Sequence, residues 1–224
     1  MQLLLDISTN IPPSLDNFAA GKNEELVALL RQIATRKAPE HAVYLWGEFA
    51  VGKTHLLQAL ALCPPARYID HTSDDADFLY DEKTTLYLLD DCQKLSPEKQ
   101  IAAFNLFNDI QENKDFLVVS GATPASIMPV RDDLRSRLSW GISYHLHKLT
   151  DQEKMEALKK MTQDKGIPMA ADVLPFLITR YPRDMRTLSA ILDALDRYSL
   201  QTRRTVTLPL LREMVQANQL PLPG

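Results

Sequence analysis

The stretch Tyr44-Leu45-Trp46-Gly47-Glu48-Phe49-Ala50-Val51-Gly52-Lys53-Thr54-His55-Leu56-Leu57 constrains this chain more than any other. Ala42 to Trp46 is a short apolar run with two aromatics and reads as a buried strand, while Lys53 to Leu62 repeats apolar residues at helical spacing. Between them stands Gly-x-x-x-x-Gly-Lys-Thr. Glycines at 47 and 52 let the backbone turn with its N–H groups aimed inward. Such a loop cradles phosphate oxygens, and the helix that follows adds the positive end of its dipole. The expected binding set is Gly47, Glu48, Phe49, Ala50, Val51, Gly52, Lys53, Thr54 and His55. Within it Lys53 reaches the β and γ phosphates and Thr54 serves Mg²⁺. The motif therefore predicts a bound nucleoside di- or triphosphate, ADP or ATP. The alternative is an ordinary glycine-rich strand-to-helix turn.

Composition narrows the rest. With 224 residues, 45% hydrophobic and 24% charged, the chain is long enough for one sizeable core plus a smaller satellite. A net charge of −4 argues against nucleic acid gripped by the whole surface, which needs many Lys and Arg on phosphates, although a local basic face stays open. Cys63 and Cys92 lie in apolar surroundings without metal-ligand spacing, so neither a disulfide framework nor a zinc site is expected. No run approaches the length of a membrane helix, and Met1-Gln2-Leu3 lacks the basic flank of a signal peptide; the expectation is a cytoplasmic protein without membrane contact.

Along the chain, Asn23 offers a helix N-cap with Glu24 and Glu25 behind it, and Leu26, Leu29, Leu30 and Ile33 give that helix one apolar face. Arg67-Tyr68-Ile69 reads as a second strand, and Thr84 to Leu89 as a third that ends in Asp90-Asp91. Acids at the C-terminal end of a buried parallel strand lie beside a phosphate loop. There Asp90 can hold the Mg²⁺ shell and Asp91 can polarise an attacking water, the alternative being a turn with two solvated acids. Ser96-Pro97-Glu98 starts a helix whose apolar face is read as Ile101, Phe104, Phe107 and Ile110. Phe116 to Ser120 is a further strand; Ser120, with Thr123 second, is the candidate for sensing the γ-phosphate, and a plain strand end is the alternative. The last strand runs from Ile142 to Leu146. Alternation of strands and helices to about residue 148 predicts an α/β fold with a parallel sheet sandwiched by helices. From there the pattern turns all-helical: Thr150-Asp151-Gln152-Glu153 is a capping box, and Leu174 to Thr179, Met185 to Leu195 and Thr207 to Val215 mark three more helices. The expected divisions are an N-terminal segment 1–10, a nucleotide-binding domain 11–148, a helical domain 149–218 and a tail 219–224.

A P-loop sheet followed by a small helical bundle, with Arg137 just before the last strand and Arg186 opening a bundle helix, resembles an AAA+ module over nearly the whole chain. More narrowly, Gly52-Lys53-Thr54-His55-Leu56-Leu57, Leu134-Arg135-Ser136-Arg137-Leu138-Ser139-Trp140-Gly141 and Arg183-Asp184-Met185-Arg186-Thr187-Leu188 resemble the DnaA/Hda group. The resemblance implies that the helical bundle is a lid, that Arg137 is an arginine finger offered in trans to ATP held by DnaA, and that Arg186 touches bound phosphates from the lid. For Arg137 the alternative is a surface cation paired with Asp132 or Asp133, with Arg135 also open as the active one. It further implies a hook for the DNA polymerase sliding clamp made of Gln2, Leu3, Leu5 and Ile7, with Asp6 where the group has proline; an edge strand or a frayed terminus is the alternative. Gln219-Leu220-Pro221-Leu222-Pro223 is a second imperfect copy, for which a frayed tail is the favoured reading. DnaA continues into a DNA-reading domain beyond its lid, whereas this chain stops after Ala217, so DNA contact is expected only indirectly, through the clamp. The group's hydrolases carry Glu where Asp91 stands, and Ala122 replaces an acid at the sensor strand end. Weak hydrolysis of the protein's own nucleotide is the expectation.

Three functions fit these residues. The first is a regulator that, with DNA-loaded clamp, provokes hydrolysis of DnaA-bound ATP and so represses re-initiation of replication, a homodimer remaining open. The second is a self-sufficient ATPase resembling the DnaC helicase loader. The third is a small P-loop kinase.

Overall fold

The computed structural model describes residues 12–182 and 184–216. The expected hook at Gln2, Leu3, Leu5 and Ile7, residue Arg183 and the segment 219–224 lie outside the described residues. Among those described, five parallel strands form one sheet in the order β2-β3-β4-β1-β5. They are β1 (Ala42–Trp46), β2 (Ala66–Ile69), β3 (Leu86–Leu89), β4 (Phe116–Gly121) and β5 (Ile142–His145). Parallel pairing puts every strand's C-terminal end on one edge. β1 lies between β4 and β5, with Trp46 opposite Gly121 and His145, so the loop that follows Trp46 leaves from the centre of that edge. β3 pairs with β4 and sets Leu89 opposite Val119, which brings Asp90 beside Ser120.

Period-two alternation decides what each face of the sheet buries. On one side Val43, Leu45, Leu86, Leu88 and Val118 pack with Leu26, Leu30 and Ile33 of α1 (Glu24–Ala34) and Leu56, Leu57 and Leu60 of α2 (Lys53–Ala61). On the other, Tyr44, Tyr87, Leu89, Leu117 and Val119 pack with α3 (Pro97–Asn113) and α4 (Asp132–Leu138).

Two local expectations need correction. Ser96 caps α3 as expected, accepting from the Lys99 N–H at 3.3 Å, but the buried face of that helix is turned relative to the expected stripe. Phe107 and Ile110 are buried with Ala103 and Leu106, whereas Phe104 is half-buried and Ile101 is 45% exposed. The turn brings Gln100 inward, where its amide is satisfied: Nε2 donates to the Leu95 carbonyl at 3.0 Å and Oε1 accepts from the Arg131 N–H at 2.9 Å. Asn23 stands at the start of α1 but its side chain does not cap it. A 3-10 turn, Gly21–Asn23, precedes the helix, and the amide instead donates to the carbonyls of Ala20 (2.8 Å) and His147 (2.9 Å) while accepting from the His147 N–H (2.8 Å). A residue read as a local cap is therefore a tie across 124 positions.

The described chain divides into two compact units, one from Pro13 to Lys148 and a helical one that begins at Leu149. The helical unit opens on a complete capping box. Thr150 Oγ1 accepts from the Glu153 N–H at 3.2 Å, and the Glu153 carboxylate accepts from the Thr150 N–H at 2.7 Å. Helices α5 (Asp151–Asp164), α6 (Val173–Arg180), α7 (Met185–Thr202) and α8 (Leu208–Gln216) enclose a core that includes Leu158, Leu177, Leu188, Leu192, Leu195 and Leu210. No helix of the described residues is long and apolar enough to cross a membrane.

Candidate nucleotide site

The loop between β1 and α2 is shaped by close approach as much as by flexibility. Gly52 sits at φ +106° immediately before α2, and a Cβ there would stand 2.7 Å from Cε2 of Phe18. At Gly47 a Cβ would meet the Leu146 carbonyl oxygen at 2.8 Å. Lys53, the first residue of α2, is buried at 8% exposure. Its Nζ donates to the carbonyls of Gly47 (2.7 Å) and Glu48 (2.9 Å). An ammonium has three donors, so two loop carbonyls leave one for an anion. Burial lowers the Lys53 pKa, and the negative charges of Asp91 and Asp90 oppose that shift.

Around this cradle the other expected residues are unequal. Val51 is half-buried, Ala50 is exposed and holds a positive φ of 60°, and Thr54 is exposed in the first helical turn. Glu48 is exposed and lies 3.2 Å from Lys148, while Phe49 at the crown is 93% exposed. His55 turns back onto the segment before α1: its Nε2 donates to the Ser14 carbonyl at 3.1 Å and its ring lies 5.6 Å from that of Phe18. Burial pulls the imidazole pKa down against the pull of that bond.

Beside the cradle the strand ends assemble an acidic corner. Asp90 is buried, and both its oxygens are engaged: Ser120 Oγ donates to Oδ1 and the Tyr68 hydroxyl donates to Oδ2 at 2.7 Å. The same Ser120 oxygen accepts from the Asp91 N–H at 2.8 Å, so one hydroxyl touches both acidic residues. Burial and the Asp90 carboxylate drive the Tyr68 pKa upward, which keeps the phenol a donor. Asp91 adopts left-handed backbone, φ 51°. Its carboxylate pairs with Lys94 Nζ at 2.6 Å and accepts from Gln93 Nε2 at 3.1 Å. Thr123, the second sensor candidate, is occupied elsewhere, with its carbonyl accepting from Tyr44 (2.6 Å) and its hydroxyl directed at the Met128 sulfur. Tyr68, Gln93 and Lys94 are the members of this corner that sequence reading missed. For Tyr68 the signal was spatial: β2 pairs beside β3, which puts it opposite Leu88, and that neighbour relation is not written in sequence order. Gln93 and Lys94 are local, two and three residues beyond Asp91, and only the turn Cys92–Lys94 folds them back onto its carboxylate.

The arginines differ in what they touch. Arg135 is tied to Asp132 at 2.8 Å and to the Val130 carbonyl at 2.9 Å, and Asp133 pairs with Arg131 at 2.7 Å. The acids offered as alternative partners for Arg137 are thus taken. Arg137, in the last turn of α4, is half-buried with its guanidinium carbon 5.4 Å from the Phe104 ring centre. Its Nε is buried without a partner, and it has no ion pair among the described residues. Arg186 is exposed in the first turn of α7, just after Asp184, whose side chain caps that helix by accepting from the Thr187 N–H at 2.8 Å.

The chain is 34% identical to an uncharacterized protein of Haemophilus influenzae over 228 aligned positions, covering 96% of this chain and 98% of that one. The family model for the Hda lid domain matches residues 151–215. Among solved structures, domain III of the Thermotoga maritima replication initiation protein DnaA superposes with a TM-score of 0.74 at 21% identity, covering 93% of this chain and 98% of that domain. AMPPCP-bound DnaA from Aquifex aeolicus superposes with a TM-score of 0.65 at 22% identity over 81% of this chain and 64% of that protein. Those likenesses establish the fold, an AAA+ P-loop sheet. With the match of its helical unit and its full-length relative, the chain belongs to the Hda family of DnaA-related AAA+ proteins.

Proposed function

We propose that this DnaA-related AAA+ protein is a regulator that holds a nucleotide itself and lends a guanidinium to another subunit's ATP. The observation that carries the reading is Arg137: half-exposed, propped over Phe104, and without an acid partner among the described residues. A guanidinium so placed stabilises charge spread over a transferring phosphoryl group, an effect worth about 10³–10⁵ in rate when docked. The recipient is DnaA loaded with ATP, and the consequence is repression of re-initiation. ADP or ATP occupies the cradle of Gly47 to His55, with Lys53 on the phosphates and Arg186 reaching them from the lid. The single uncommitted Lys53 donor and the AMPPCP held by the Aquifex relative support this. Mg²⁺ is taken at Thr54 and the Asp90 shell with waters retained, since both Asp90 oxygens already accept from hydroxyls. Ser120 acts through Asp90. The chain docks on the sliding clamp through Gln2, Leu3, Leu5 and Ile7, meets DNA only through the clamp, works in the cytoplasm, and is divided at 148/149.

The test is reconstitution with DNA-loaded clamp and ATP-charged DnaA, following ADP formation. Wild type accelerates it, and Arg137→Ala loses on the order of 10³-fold of that acceleration. Arg135→Ala, whose guanidinium is tied to its own helix, loses little. Equal rates for wild type and Arg137→Ala overturn the proposal.

A further inference from the structure

Asp91 is the residue expected to polarise an attacking water, yet the turn that follows it holds a position on each of its oxygens. Lys94 Nζ lies 2.6 Å from Oδ2, and Gln93 Nε2 donates to Oδ1 at 3.1 Å. Both partners belong to the 3-10 turn Cys92–Lys94, and left-handed backbone at Asp91 leads into it. A carboxylate offers about four lone-pair positions, and a water must compete with whatever already holds them. Lys94 and Gln93 hold one position on each oxygen of Asp91, and the ammonium is the charged competitor. Packing does not enforce this pairing. The Lys94 side chain is 50% exposed and that of Asp91 25%, so the ammonium can swing away into water. The other charged or titratable groups acting on the pair are Lys53 at the start of α2, Asp90 on the same strand end, Asp70 after β2, and Tyr68, which is bonded to Asp90.

We propose that Lys94 is an intramolecular latch on Asp91 that suppresses the protein's own nucleotide hydrolysis while leaving nucleotide binding intact. The inference rests on the reading of the Lys53 cradle as a nucleotide site. With the latch open, the water oxygen bonds to the γ-phosphorus, the bond from that phosphorus to the β–γ bridging oxygen breaks, and Asp91 takes the water's proton, giving ADP and phosphate. Lys94 touches neither water nor nucleotide in this step, so it is a positioning residue. The latch explains how this chain carries both acidic residues yet serves as a nucleotide-holding subunit.

The test is single-turnover hydrolysis of ATP. Lys94→Ala is faster than wild type by about tenfold or more, Lys94→Arg stays slow, and the gain vanishes in Lys94→Ala combined with Asp91→Asn. If Lys94→Ala binds a fluorescent ADP as wild type does while its hydrolysis rate stays unmoved, the latch is overturned and the nucleotide reading stands. If neither wild type nor variant binds ADP, the nucleotide reading falls and takes the latch with it.

Discussion

Both units of the molecule bury polar groups, but they use them differently. In the helical unit the buried polar side chains close their own surroundings. Ser199 donates to the Arg204 carbonyl at 2.6 Å where α7 ends, Thr162 donates to the Lys159 carbonyl at 2.7 Å, and Asp193 pairs with Lys165. In the sheet unit Lys53, Asp90 and Ser120 come from three different elements and meet at one edge of the sheet. A buried polar group that serves stability is satisfied within its own neighbourhood, because an unsatisfied one costs about 1–3 kcal/mol. One placed to serve a ligand keeps capacity in reserve, as the third donor of Lys53 does.

Four measurements sharpen or break that contrast. Leu195→Ala, at a site with no solvent exposure in the helical core, should cost about 2–5 kcal/mol in urea unfolding; a cost near zero means that the helical unit lacks a tightly packed core. Lys53→Ala should weaken ADP binding roughly 10- to 100-fold without lowering stability, since it removes a buried charge whose hydrogen bonds go to two loop carbonyls and to no carboxylate. Binding left intact, or a large loss of stability, would place Lys53 among the structural polar groups. Asp193→Ala should show the reverse, losing about 1–2 kcal/mol of stability, reduced from the fully buried case because the Lys165 side chain is 27% exposed. The smallest effect is in acid. The Asp91 pKa is depressed in the folded chain, so its contribution is present above the ordinary carboxylate range and lost as pH falls through the depressed value. Asp91→Asn should flatten the acid limb of the stability profile by less than about 1 kcal/mol, the pair being partly solvated.

What could be read in the sequence was whatever depends on neighbours along the chain. The glycine spacing of the loop, the Ser96 and Thr150 caps and the continuous apolar runs that bury β1 and β4 are local grammar, and each stands where its residues placed it. What could not be read depends on partners fixed by the fold. Asn23 carries the chemistry of a cap, and only the parallel sheet brings His147 within its reach. Ile101 has the right spacing for a buried stripe, but the orientation in which α3 docks turns it outward and Gln100 inward. In the candidate site, Asp90 and Asp91 were legible as acids beside a phosphate loop, while Tyr68 on Asp90 and Lys94 on Asp91 were not. A tyrosine in a neighbouring strand and a lysine in an unremarkable turn carry no pattern of their own.

The crown of the phosphate loop has a consequence for whatever covers it. Phe49 presents nearly its whole side chain to water beside the exposed Glu48. Any surface that closes over this loop also dries an aromatic face, a gain of roughly 1.5–3 kcal/mol on full burial. Added salt weakens the ionic half of that closure and leaves the hydrophobic half in place, so capping of the loop should outlast ionic strengths that strip away contacts made by charge alone.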